Sequence, residues 1–148
     1  MIRLANHEDL TAILEIGRAT AAEISPHYVV DEFKTRKTLL FLMNARRWCV
    51  FVAENKAGEV VGFIAGQADA LWFSRACYAT DIAFLVKRGN PVQGFLLAKR
   101  FIRWAKAIPD VVDITLNISS GMDSKGRLGR LYERLGLKPM GGCYSYFK

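Results

Sequence analysis

The chain has 148 residues, 51% of them hydrophobic and 24% charged, which fits one folded domain and excludes a disordered chain. The longest apolar run, Leu39 to Met43, is far shorter than the roughly 20 residues of a membrane helix. The start, Met1-Ile2-Arg3-Leu4, lacks the layout of a signal peptide, so a soluble, cytoplasmic protein is expected. The net charge of +7 favours anionic partners without naming one.

Cys49, Cys77 and Cys143 are widely spaced, without a CxxC pair, as expected of buried thiols in a reducing compartment. His7 and His27 do not have metal-ligand spacing, and no metal is expected.

In chain order, Met1–Ala5 reads as a strand. Asn6 caps the next helix, with Asp9 in a capping-box position and Leu10, Ile13, Leu14 and Gly17 at helical spacing. Ser25-Pro26 ends that helix. Val30–Ala45 reads as a second helix with Phe33, Lys37, Leu40 and Phe41 on one stripe, and Lys34, Arg36 and Lys37 form a solvated basic cluster. Trp48–Glu54 and Val60–Leu71 read as an antiparallel hairpin around Asn55-Lys56-Ala57-Gly58. Tyr78–Val86 is a further strand. Val92–Ile108 is a helix with an apolar face (Leu97, Phe101, Trp104, Ile108) and a basic one (Lys99, Arg103, Lys106). Val111–Ile118 is a strand and Ser119–Ser124 a polar loop. Arg127–Leu135 is a short helix with Gly136 as its C′ residue, and Cys143–Phe147 is a final strand.

The expected fold is therefore α/β in the order β-α-α-β-β-β-α-β-α-β. It is a mixed, mostly antiparallel sheet with helices on both faces, in a single domain spanning residues 1–148.

One segment suggests chemistry. Between the strand ending at Val86 and the next helix runs Lys87-Arg88-Gly89-Asn90-Pro91-Val92-Gln93-Gly94. Asn90 suits the N-cap and Pro91 the first helical position. The amides of Val92, Gln93 and Gly94 then lack an intrahelical partner and point where an anion is favoured. Gly89 permits close backbone approach, and Lys87 and Arg88 add charge. An ordinary capped helix would read the same way.

The element order, Phe84-Leu85-Val86 before a basic glycine-containing loop, and Leu131-Tyr132-Glu133-Arg134-Leu135-Gly136-Leu137 before the last strand resemble the GNAT N-acetyltransferase superfamily. The resemblance spans essentially the whole chain. The loop departs from the family pattern Arg/Gln-x-x-Gly-x-Gly/Ala: Pro91 and Gln93 stand at its two glycine positions. This loop, together with the run Gly129–Gly136, is also similar to short GNAT-like proteins encoded by bacteriophages.

The resemblance implies acetyl-CoA as acyl donor and direct transfer of its acetyl group to an amine of a small molecule or protein. It places the pantetheine arm between the strand Tyr78–Val86 and the strand Val111–Ile118. Backbone groups of Phe84, Leu85 and Val86 would bond the arm, and Arg88, Gly89, Asn90, Val92, Gln93 and Gly94 would hold the pyrophosphate. Tyr132 would protonate the leaving thiolate, although its place on an apolar stripe equally fits a core tyrosine. Asp81 would be the general base, with Glu54 as alternative, and His27, Tyr28 and Phe33 would border the acceptor. Lys99, Arg103 and Lys106 could meet the cofactor's 3′-phosphate or form a solvated face.

The competing expectation is a catalytically silent GNAT-like binding protein, in a virion or against a host protein, with a decayed coenzyme A site. No helix-turn-helix or RNA-binding motif supports nucleic-acid binding. A monomer and a homodimer both fit the sequence.

Overall fold

The computed structural model describes residues 1–118, 123, 125–144 and 146. The chain begins with strand β1 (Ile2–Leu4) and a 3-10 turn (His7–Asp9), followed by helices α1 (Leu10–Ile24) and α2 (Glu32–Asn44). Strands β2 (Trp48–Glu54), β3 (Val60–Ala70) and β4 (Cys77–Val86) come next, then helix α3 (Pro91–Lys106), strand β5 (Val111–Thr115) and helix α4 (Arg127–Arg134). The sheet order is β1-β2-β3-β4-β5; all neighbours are antiparallel except β4 and β5, which are parallel. The expected mixed, mostly antiparallel α/β sheet is thus present.

Strand alternation sorts the central residues to two faces. Val50 and Val52 pack with Leu10, Ile13 and Ile16 of α1 and with Leu39 and Leu42 of α2. Phe51 and Ile64 pack with Leu97, Phe101 and Ala105 of α3. Burying each such Leu, Ile or Phe contributes about 1.5–3 kcal/mol, so the sheet is fixed from both sides.

The first helix starts as expected. The Asn6 side chain accepts the Glu8 amide at 2.9 Å, and Asp9 accepts the Asn6 amide at 2.8 Å. The Asp9 carboxylate also receives both terminal nitrogens of Arg3, at 2.7 and 2.8 Å. That guanidinium keeps the Asp9 carboxyl below its ordinary range.

Three expectations change. On α2, Phe33, Lys37, Leu40 and Phe41 face outward, whereas Leu39 and Leu42 are buried. The run Leu39-Leu40-Phe41-Leu42-Met43 offers apolar groups to every side of the helix, so periodicity alone could not choose the core face. Second, β5 stops at Thr115 rather than Ile118, its pairing with β4 ending at Thr80–Thr115 while Asn117 bonds the Asp81 side chain instead of a strand. Third, Cys143, Tyr144 and Tyr146 lie in no strand, and Phe147 is outside the described residues. Gly141 and Gly142 precede that stretch, and Gly141 has a φ of 145° that other residues rarely adopt, so the lead-in strongly disfavours an extended strand. Most of Ser119–Ser124 also lies outside the described residues.

Cys49 and Cys77 are buried free thiols, and Cys143 is exposed. Among the described residues, no helix is long and apolar enough to cross a membrane.

Candidate active site

The site begins with a one-residue irregularity in β4. Ala65 pairs with Ala83 but Gly66 pairs with Asp81, so Ile82 is an extra residue that bulges from the ladder. Gly66 allows the sheet to close here. A Cβ on it would lie 2.3 Å from the Phe101 ring and 2.9 Å from the Thr80 carbonyl oxygen.

On the opposite edge of β4, pairing with β5 ends at Thr80–Thr115. From Asp81 to Val86, β4 continues with no strand partner on that edge among the described residues. The Lys87 amide bonds the Val61 carbonyl at 2.7 Å, and the Leu85 carbonyl faces Gly62. Strand alternation therefore turns the backbone groups of Phe84 and Val86 to the open edge. Leu85, expected to bond a ligand with them, is committed to β3.

Asn117 sits at the mouth of this opening. Asp81 Oδ1 accepts the Asn117 amide and the Asn117 side-chain nitrogen, both at 2.8 Å. The same nitrogen reaches Thr80 Oγ1 at 3.0 Å. From the other side, the Tyr132 hydroxyl donates to the Asn117 carbonyl at 3.2 Å. Tyr132 is buried and its ring stacks on Phe84, with centroids 6.4 Å apart and planes 25° apart. Asp81 and Tyr132 are thus brought together through one residue, Asn117. Sequence reasoning missed Asn117, since it read this position as strand interior.

The helix bearing Tyr132 is fixed at both ends. Asp123 accepts the amides of Arg127 and Leu128 at 2.7 and 2.9 Å, a capping role that typically contributes about 1 kcal/mol. At the other end Gly136 (φ 87°) closes a Schellman motif: its amide bonds the Glu133 carbonyl at 2.9 Å, and the Leu137 amide bonds the Tyr132 carbonyl at 3.1 Å.

Electrostatics separate the two groups. Burial pushes the Asp81 carboxyl above the ordinary carboxylate range, against the opposing effect of its bonds from Asn117. Burial, then the nearby charges of Asp81 and Asp123, raises the Tyr132 phenol well above its usual value. Tyr132 therefore stays protonated near neutral pH. Asn117 and Tyr132 also line a groove of about 730 Å³, walled by β5, α4 and the stretch leading to Cys143.

The loop after β4 differs from its expectation. Gly89 adopts a φ of 85°. Asn90 occupies the N-cap position, but its side chain donates back to the carbonyls of Lys87 and Arg88 at 3.1 and 3.2 Å. The Gly94 amide bonds the Asn90 carbonyl at 3.2 Å, so only Val92 and Gln93 keep unclaimed amides, Pro91 having none. Arg88 is drawn to Glu23 at the end of α1, at 2.9 Å.

The other candidates make no bond to Asp81, Asn117 or Tyr132 among the described residues. Glu54 is held by Arg3 at 2.7 Å. His27 and Phe33 are exposed, as is Tyr28, in and after the α1–α2 turn. Lys99, Arg103 and Lys106 are exposed on α3; at 1.5 Å per residue, Lys106 is roughly 22 Å along the helix from Pro91.

No family profile and no curated protein matches the sequence. Solved structures do match over the whole chain. A Bacillus halodurans protein described as a transcriptional regulator has a TM-score of 0.74 at 20% identity, covering 99% of both chains. Glucosamine-6-phosphate N-acetyltransferase from Arabidopsis thaliana has a TM-score of 0.73 at 11% identity, covering 99% of this chain and 97% of its own. An aminoglycoside 6′-N-acetyltransferase from Acinetobacter haemolyticus has 0.72 at 11%, covering 100% and 97%. The chain has the fold of the GNAT acetyltransferases. At these identities the likeness concerns fold, which does not by itself assign function.

Proposed function

We propose that the protein is an N-acetyltransferase that moves an acetyl group from acetyl-CoA directly to an amine of a small molecule or protein. The observation that carries this reading is the convergence of Asp81 and Tyr132 on Asn117 beside the unpaired edge of β4. The neighbouring folds include acetyltransferases acting on amino sugars, which supports the same class.

The unpaired edge fits an extended donor arm, because Phe84 and Val86 present backbone groups there with no strand to satisfy them among the described residues. Asp81 takes the proton that the acceptor ammonium must lose before it can attack, and its raised pKa brings a carboxylate closer to the working range of a general base. The freed amine forms the new C–N bond as the thioester C–S bond breaks. Tyr132, held protonated, donates its proton to the departing thiolate and is reprotonated by the second proton that the nitrogen sheds as it becomes an amide. The open-edge amides of β4 supply hydrogen bonds to the carbonyl as its oxygen gains charge. Positioning two reactants in the opening supplies the rest of the acceleration.

The test is thiol release from acetyl-CoA with amino sugars, polyamines and a lysine peptide as acceptors. Amine-dependent thiol release that is lost in Tyr132→Phe is the expected result. Release that survives that change unaltered would remove Tyr132 from the mechanism.

The loop supports a second reading, that of a silent binding protein. Pro91 and Gln93 stand where the family has glycines, and Arg88 is engaged by Glu23. On that reading acetyl-CoA does not bind, and no acceptor elicits thiol release.

A further inference from the structure

A second cavity, of about 410 Å³, lies between the first turn of α3 and the outer face of α4. Arg127, Arg130 and Arg134 line it, on an apolar floor of Pro91, Phe95 and Leu131. The three arginines stand at i, i+3 and i+7, so one helix face aims all of them the same way. Among the described residues none of the three has an acidic partner, whereas Arg3, Arg18, Arg36, Arg47 and Arg88 each hold a carboxylate. Three like charges converging without a counter-charge repel one another, an arrangement that an anionic ligand would relieve. Guanidinium groups suit phosphate oxygens, which they can bind in bidentate fashion. Pro91, Phe95 and Leu131 supply apolar groups on which a base can rest.

We infer that this cleft is a nucleotide-phosphate site in which Arg127, Arg130 and Arg134 hold the phosphates and Pro91 and Phe95 support the base. The inference takes its ligand, the nucleotide end of coenzyme A, from the reading under Proposed function. It places on α4 the charge recognition that the loop after β4 lacks. The apolar floor distinguishes the cleft from a solvated basic face: a purely electrostatic patch would bind any polyanion and would not discriminate between a nucleotide and inorganic pyrophosphate.

The experiment is calorimetric titration of the full chain with coenzyme A, adenosine 3′,5′-diphosphate and inorganic pyrophosphate. Wild type is compared with Arg130→Gln/Arg134→Gln and with Arg46→Gln, which removes an exposed charge elsewhere. The arginines are exposed, so the paired variant should melt with wild type. Coenzyme A and the nucleotide should both weaken about tenfold or more in the paired variant, remain unchanged in Arg46→Gln, and bind tighter than pyrophosphate. Coenzyme A binding the paired variant within about twofold of wild type overturns the inference while leaving the acetyl-transfer reading intact. Arginine-dependent nucleotide binding without tighter binding of coenzyme A keeps the cleft and overturns that reading. Binding of none of the three overturns both, and equal affinity for pyrophosphate reduces the cleft to a charged patch.

Discussion

The two ends of β4 present opposite pictures. At the Asp81 end, side chains bond across elements: Asn117 is bonded by Asp81 on one side and by Tyr132 on the other, and α4 is capped by Asp123 and closed by Gly136. At the Val86 end, the loop directs its polar groups toward the protein itself. Asn90 bonds its own loop and Arg88 bonds α1. The Asp81 end is thus held by bonds across three elements, whereas the Val86 end is held mostly within its own loop. A site of this kind can keep its chemistry while the grip on the distant part of its ligand moves elsewhere, because the two tasks rest on different elements.

The largest expected effect is at the firm end. Tyr132→Phe keeps the stacking on Phe84 and removes one hydroxyl, so the fold should persist while turnover falls about 10²–10⁴-fold, the usual contribution of a positioned acid. Single-turnover thiol release checks this, and an unchanged rate would reduce Tyr132 to a core residue.

Asp81→Asn should cost about 10²-fold, since the amide oxygen can still accept from Asn117 while the base is gone. The carboxyl is raised above its ordinary value, so wild-type activity should fall on the acid side at a higher pH than an ordinary aspartate would give, and the variant should lack that limb. Stability follows the same sign. A raised carboxyl favours the folded state most at low pH, and this contribution is lost as pH rises through the folded-state value. At about pH 8 the variant should therefore melt no lower than wild type.

Gly66→Ala probes the bulge between the two ends. The added methyl meets Phe101 and the Thr80 backbone, and overpacking of this kind costs about 1–3 kcal/mol. Chemical denaturation would measure it, and an unperturbed midpoint would mean that the sheet and α3 are less tightly joined than the contacts imply.

The smallest effect is expected at the loop. Glu23→Ala releases Arg88 from an exposed ion pair, with at most about 1 kcal/mol of stability at stake. Acetyl-CoA affinity should rise slightly as Arg88 becomes available. A fall would show that the Glu23 contact helps to shape the loop.

Most of the framework was legible because local chemistry and tertiary packing agree. Trp48–Glu54 was read with its observed limits from β-branched and aromatic content, and the Asn6–Asp9 capping box and the Gly136 stop act within a few residues. The α2 core face was not legible, since apolar side chains surround that helix. The end of β5 was hidden for another reason: Leu116 and Ile118 look like strand, but the end is set by where pairing with β4 stops, at Thr80–Thr115, which no local pattern reveals. Asn117 was missed in consequence. Its signal, a polar residue between two apolar ones, is also that of ordinary strand alternation. Tyr132 and Asp81 were named by family resemblance, and their connection through Asn117 required coordinates. The arginines of α4 were visible as residues, but their common direction toward Pro91 and Phe95 depends on how α3 and α4 are packed.

Thermal unfolding of the full chain with saturating acetyl-CoA, and with ATP as a polyphosphate control, bears most directly on whether this opening receives its donor. A ligand at 100 times its dissociation constant adds about 2.7 kcal/mol, and each kcal/mol raises the midpoint of a chain this size by roughly 2–4 °C or more. A clear rise with acetyl-CoA, well above that with ATP, is the expected result. No rise, or the same rise with both, would contradict the assignment of an acetyl-CoA site to this fold.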